Sequence, residues 1–232
     1  MLDHGMCTTY PTNDWVMKST ISAINPANSL LAQLGGLENG EEVRLQDNTE
    51  IYSENRIDYL YFPINALVSI SSGGVEVSMV DNDDVLGVTA VLGLDEPIGK
   101  HRVVIPGKAW RVPVATVISA VQQQPAMATI FNRLAGALVA QVIQDAACSR
   151  LHTIKQRCAR WLLMADRCVR SEKLAITQER LADLLSVRRA TVNPTLVQLR
   201  MDGSIQYRRG VLRIIDPQRL AAAACECYRT TG

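Results

Sequence analysis

At 232 residues the chain is long enough for two modest domains, each able to bury a core. Its formal charge of +1 hides a division: residues 151–232 carry 15 Lys and Arg against 7 Asp and Glu, whereas residues 1–150 carry 9 against 16. The basic part has the electrostatic footprint of a DNA-contacting domain, and the acidic part is excluded from that role. No uninterrupted apolar run approaches the roughly 20 residues of a membrane helix. The start MLDHGMCTTY has no signal-peptide core. Both features predict a cytoplasmic protein with no membrane partner.

Residues 1–24 show no firm period and read as a flexible arm. Asn25-Pro26 then predicts a short helix, with Asn25 as cap, Ala27, Leu30, Leu31 and Leu34 on one side and Gly35-Gly36 at its end. From Glu41 to Pro113 the texture changes to short alternating or β-branched runs. These are Val43–Leu45, Ile57–Phe62, Leu67–Ile70, Val75–Val80, Arg102–Ile105 and Ala109–Val112, separated by Gly-Gly, Asp-Asn and Pro-Gly pairs. Short strands at close spacing predict a small sandwich or barrel-like roll over 25–121.

From Pro125 to about Cys148 the pattern turns helical, spanning about six turns. Ile130, Leu134, Ala137, Gln141 and Gln144 alternate spacings of four and three, as in a two-stranded helical seam. That spacing suits pairing of two chains over 122–150, and the alternative is a helix packed only on its own roll. His152 to Val169 predicts a further amphipathic helix in which Trp161 anchors the C-terminal core, and Ser171-Glu172-Lys173 forms a polar link.

Thr177 to Ile215 carries the strongest signal. Thr177 is an N-cap, Glu179 sits in the first turn, and Leu181, Leu184 and Leu185 follow at helical spacing. After a break at Ser186-Val187, Val192, Leu196 and Leu199 share one face, while Arg189, Ala190, Asn193 and Val197 share another. Gly203 ends that helix, and Ser204 to Ile215 reads as two short strands around Arg208-Arg209-Gly210. The result is a helix-turn-helix with a basic wing. A helix of this width enters the DNA major groove, an Arg fork bonds guanine O6 and N7, and wing arginines reach phosphates. Pro194 is awkward at the sixth helical position. Either it kinks the helix, or Asn193-Pro194 starts it and leaves Ser186 to Val192 as a longer turn.

Thr177 to Tyr228, with its LSVRRATV turn, IQYRRGVLRIID wing and terminal AAACECY, resembles the winged helix of the Crp/Fnr family of bacterial transcription regulators. DYLYFPINALVSI, VEVSMV and RVVIPGKAWRVP resemble that family's N-terminal β-roll more weakly. The resemblance implies an α+β chain: a cyclic-nucleotide-binding-like β-roll, a long dimerisation helix and a winged helix-turn-helix over 151–232. It further implies a homodimer that reads an inverted repeat in double-stranded DNA and works with RNA polymerase, and it implies no enzyme.

Residue by residue, Arg189 matches the family arginine that contacts a guanine. The next position, commonly Glu for cytosine, is Ala190, which suits a thymine methyl instead. Arg188 and Thr191 are phosphate contacts by the same likeness, Asn193 lies on the presented face, and Arg208 and Arg209 serve on the wing.

In the matching nucleotide loop, Gly87 fits, but Val88 replaces the ribose-binding carboxylate. No Arg-Ser pair follows, and Asp95-Glu96 would oppose a phosphate. Cyclic AMP is therefore not the expected ligand and the effector is left open, with Lys100 and Arg102 as strand-edge charges or, alternatively, an anion pair. Cys7 alone in the first 147 residues does not make an iron–sulfur site, and His4, His101 and His152 read as ordinary surface or capping residues rather than haem ligands.

Six cysteines without CxxC spacing predict small apolar filler and no metal, with a thiol switch at Cys158, Cys168, Cys225 or Cys227 as the alternative. His4 and Cys7 lack an orienting third group for catalysis. The rival from another class is a small-molecule sensor whose C-terminal domain meets a protein.

Overall fold

The computed structural model describes residues 28–35, 37, 39–169 and 173–230, with backbone only at 169, 229 and 230. The expected arm, the Asn25-Pro26 start, Ser171-Glu172, His4 and Cys7 lie outside the described residues.

The first helix, α1 (Ser29–Gln33), is capped by Asn28, whose Oδ1 accepts from the Leu31 N–H at 2.9 Å. The cap is thus three residues later than the sequence suggests, and buried Asn28 also donates to the Pro63 and Asp84 carbonyls. Six strands follow: β1 (Glu41–Leu45), β2 (Tyr59–Pro63), β3 (Leu67–Ser72), β4 (Val75–Val80), β5 (Lys100–Ile105) and β6 (Gly107–Pro113), with the short helix α2 (Val88–Val91) between β4 and β5. They form two antiparallel sheets, ordered β1-β6-β2 and β4-β3-β5. Leu45 and Ala109 from one sheet share a core with Val68, Val80 and Val103 from the other, which makes the two sheets one roll.

Two helices then leave the roll. Val114–Gln123 is helical (α3), although its run of Val, Thr and Ile has strand character; buried Val117 ties it to the same core as Phe62 and Val112. The long helix α4 (Pro125–Leu151) starts on Pro125, where a missing N–H costs nothing, and is capped at its far end by His152. α4 is long and apolar enough to cross a membrane by length and composition, which revises the expectation from uninterrupted runs. Asn132, Arg133 and Gln141 break the run but leave the stretch apolar on average.

The C-terminal part comprises α5 (Ile154–Val169), β7 (Leu174–Ala175), α6 (Gln178–Leu184), α7 (Arg189–Met201), β8 (Ile205–Arg208), β9 (Val211–Ile214), α8 (Pro217–Ala223) and α9 (Cys227–Thr230). Its core does not stop at the domain boundary. Leu67, Met79, Val104 and Ile105 of the roll join Trp161, Leu162, Leu181 and Leu199 in one cluster, and the Trp161 Nε1–H points at Met79 Sδ at 3.0 Å. Arg180 adds a second tie, donating to the Val103 carbonyl at 2.6 Å and pairing with Asp47 at 3.0 Å. Trp161 therefore anchors both parts.

Two sequence expectations about side chains change here. His101 is neither surface nor cap: it is buried on β5, edge-on to Tyr52, and burial pushes its imidazole down to about 4 despite opposing pulls from Gly99 and Glu50. An unfolded histidine takes a proton near pH 6.5, so folding stability should fall as pH drops from about 6.5 towards 4. The loss reaches up to about 3 kcal/mol below that range. His101→Gln should remove this part of the acid dependence, read by chemical unfolding at pH 7 and pH 4; parallel curves for both proteins would contradict it.

The cysteines divide as well. Cys158 and Cys168 are core filler, with thiols pushed up to about 12 by burial, which opposes a switch at either. Cys148, Cys225 and Cys227 instead gather in a small buried cluster of their own.

Candidate nucleic-acid interface

The first helix of the pair, α6, begins where Thr177 Oγ1 accepts from the Arg180 N–H at 3.2 Å, with Glu179 in the first turn. Leu181, Leu184 and Leu185 are buried as their spacing predicts. The turn is then made by Ser186 in the left-handed region at φ 52°, which lets the Val187 N–H return to the Ala182 carbonyl at 3.0 Å. Arg157 from α5 holds this turn from behind, donating to the Leu185 carbonyl at 2.7 Å.

α7 runs unbroken from Arg189 to Met201 with Pro194 inside it. The helix therefore starts at Arg189, and the reading in which Asn193-Pro194 opens it is set aside. Val192, Leu196 and Leu199 are buried beneath it, so their spacing fixes its rotation. The opposite face presents Arg189, Ala190, Thr191 and Asn193, all exposed, with exposed Arg188 as N-cap residue. Thr195 is buried, and its hydroxyl donates to the Thr191 carbonyl at 2.9 Å. The Asn193 side chain accepts from Gln178 at 3.3 Å, linking the two helices on this outer surface. Ser186 falls at the break that the sequence predicts, whereas Gln178 and Thr195 carry no sequence signal, because their roles depend on the turn geometry.

The wing is a three-stranded antiparallel sheet in the order β7-β9-β8. Arg209 and Gly210 both have positive φ, 51° and 78°, as a two-residue hairpin turn matching the strand twist requires. Arg208 and Arg209 project from it exposed. The wing lies beside the start of α7: Tyr207 on β8 has its hydroxyl pushed up by burial, partly offset by the nearby charge of Arg189.

Arg102, Arg111, Arg160, Arg180 and Arg219 each pair with a carboxylate, as do Lys108 and Lys155. Among the described residues, Arg188, Arg189, Arg208 and Arg209 are free of carboxylate pairing, as are exposed Arg44, Arg150 and Arg200, which lie away from the start of α7 and the wing tip. The structure thus brings all seven sequence-derived candidates onto two neighbouring outer surfaces, the start of α7 and the wing tip. Unpaired guanidinium groups on a slim exposed helix and hairpin suit a polyanion.

The nucleotide loop differs. Gly87 adopts φ 84° before α2, and a Cβ there would meet the Tyr52 hydroxyl at 2.6 Å. Val88 is buried in the roll core, while Asp95 and Glu96 are exposed. Arg102 bonds Asn48 at 3.1 Å and faces Glu50 at 3.6 Å, which favours its reading as a strand-edge charge.

A roll, a long helix and a winged helix-turn-helix in this order define the architecture of the Crp/Fnr regulators. Residues 156–223 match the Crp-like helix-turn-helix domain. The whole fold is similar to that of FixK2 from Bradyrhizobium japonicum, at 18% identity and TM-score 0.64, over 80% of this chain and 98% of that one. It is also similar to a crp/fnr family regulator from Eubacterium rectale, at 17% identity and TM-score 0.61, over 84% and 92%. A third likeness is to the c-di-GMP responsive regulator CLP from Xanthomonas campestris, at 14% identity and TM-score 0.59, over 80% and 98%. No curated protein matches the sequence significantly. The chain carries a Crp-like helix-turn-helix domain within a Crp/Fnr fold.

Proposed function

We propose that this protein is a sequence-specific DNA-binding transcription regulator of the Crp/Fnr type that acts in the cytoplasm as a homodimer on an inverted repeat, with RNA polymerase as its working partner. The observation that carries the reading is the exposed, carboxylate-free set Arg188, Arg189, Arg208 and Arg209, held in place by the buried face of α7. Arg189 reads guanine, Ala190 and Asn193 meet neighbouring base edges, and Arg188, Thr191 and the wing arginines meet phosphates.

Dimerisation is assigned to α4, but not to the seam expected from sequence. Ile130, Leu134 and Leu138 pack onto the chain's own roll, Gln141 donates to the Met79 carbonyl at 3.1 Å, and Gln144 donates to Cys227 at 2.9 Å. The exposed stripe is instead Asn132, Gly136, Val139, Ile143, Ala146 and Arg150, again at alternating spacings of four and three. Val139 and Ile143 are 60% and 65% exposed, unusual for large aliphatic groups at helix centre. Pairing of two such stripes covers them and accounts for the apolar character of α4 without a membrane.

The buried Val88, the Tyr52 hydroxyl at Gly87 and the acidic Asp95-Glu96 loop support a regulator that does not depend on cyclic AMP. Saturating cyclic AMP should leave duplex affinity unchanged. A direct test of the interface is a fluorescence-anisotropy titration of a labelled duplex across a salt series. Log affinity should fall linearly with log salt, and Arg209→Ala should weaken binding evenly across sequences while reducing the slope by about 1. A slope unchanged in Arg209→Ala would remove the wing from the contact. Saturable binding of a small metabolite without retention of any duplex would favour a sensor acting through a protein.

A further inference from the structure

We propose that Cys148, His152, Cys225 and Cys227 form a tetrahedral zinc site that staples the C-terminal tail to the end of the long helix. The four ligand atoms lie within 4.8 Å of one another, and all three thiols are buried and free of disulfides. Local structure explains the gathering. Cys148 and His152 are one turn apart at the end of α4, so both face the same way, and Cys225 and Cys227 flank the turn between α8 and α9.

The observed edges are those of a small coordination tetrahedron. With zinc bonds of about 2.3 Å to sulfur and 2.0–2.1 Å to nitrogen, two thiolates sit about 3.8 Å apart and a thiolate and an imidazole nitrogen about 3.6 Å apart. Cys148 Sγ and Cys225 Sγ are 3.6 Å apart, and Cys227 Sγ lies 3.5 Å from His152 Nδ1. The longest separation, 4.8 Å, closes by a side-chain adjustment of about 1 Å around a 2.3 Å bond length.

The surroundings are those a metal-bound set needs. With Nδ1 turned to the sulfurs, His152 Nε2 lies 3.7 Å from the Glu226 carboxylate, which would fix the ring as carboxylates do for zinc-bound imidazoles. Gln144 donates to Cys227 Sγ at 2.9 Å, and the Arg160 guanidinium, paired with Asp145 at 2.7 Å, lies against Cys148. A divalent cation with three thiolates carries a net charge of −1, which that arginine offsets. Three sulfurs and one imidazole with no open position form a closed structural set, and a soft thiolate majority selects zinc over oxygen-seeking cations. Because the site uses no residue of α7 or the wing, it stands independently of DNA binding.

The test uses the full-length protein, produced in zinc-supplemented medium without a metal-affinity step. Mass-spectrometric metal analysis should give one zinc per chain. The Cys225→Ala/Cys227→Ala variant should fall below a tenth of that, and His152→Asn should bind at least tenfold more weakly. Replacing the metal with cobalt should give thiolate-to-cobalt charge-transfer absorption and a tetrahedral ligand-field spectrum. Because the variants remove buried side chains, a second measurement uses the unaltered chain: the apo-protein, checked for native circular dichroism, is titrated with cobalt. A folded apo-chain that takes up no cobalt, zinc retained in full by the double variant, or a Cys148–Cys225 disulfide in the reduced-handled, zinc-fed protein would each overturn the proposal.

Discussion

Ile143→Glu is expected to convert the protein from dimer to monomer and, through that, to cut operator affinity more than any substitution on the DNA-facing surface. Ile143 is 65% exposed in the single chain, so the isolated fold tolerates a carboxylate there. In a paired α4 seam, however, two glutamates would meet near the two-fold axis without a partner. Stranding an unpaired buried charge costs about 3–5 kcal/mol, which corresponds to at least a hundredfold loss of dimer affinity. Each half-site contact made by a single chain is then lost from the joint complex, so the operator sees a monomer with one helix to offer. Sedimentation of the variant should give a single-chain mass with unchanged circular dichroism. Val75→Glu, at a residue 50% exposed on the roll, should leave the dimer intact. A dimeric Ile143→Glu protein would move the interface elsewhere.

The second large effect falls on Arg189. Removing a bidentate guanidinium–guanine contact costs about 1–3 kcal/mol, or roughly 5- to 150-fold, on the preferred duplex. On random duplex the loss should be small, because phosphate contacts from Arg188, Thr191 and the wing remain. The ratio of specific to random affinity is therefore the informative quantity. Equal losses on both duplexes would assign Arg189 to the backbone and leave base reading to other residues.

Much of this interface was legible in the sequence because its packing is local. The Leu181, Leu184, Leu185 and Val192, Leu196, Leu199 spacings fix two helix rotations, and Arg209-Gly210 between β-branched runs fixes the hairpin. What failed depends on distant neighbours. The helix over Val114–Gln123 was missed because its β-branched residues carry a strand signal that packing of Val117 overrides. The exposed stripe of α4 is out of phase with the seam read from spacing because Ile130 and Leu134 meet the roll core and Gln141 bonds the Met79 carbonyl, contacts that no local pattern announces. His101 appeared ordinary because nothing near it in sequence announces Tyr52 as its neighbour. The cysteine cluster escaped for the same reason: Cys148 and Cys225 are 77 positions apart, and their meeting depends on how α8 returns to α5 and the end of α4. The C-x-x-x-H spacing at the helix end and the C-x-C near the terminus were each too weak alone to signal a metal.

The most direct measurement is selection of bound duplexes from a fully randomised pool by the wild-type chain at low salt, followed by sequencing. The expected product is an inverted repeat whose half-sites are centred about one helical turn, roughly 34 Å, apart, with a guanine in each half that Arg189→Ala no longer enriches. Recovery of no enriched sequence, or no retention of any duplex even in dilute salt, would contradict it.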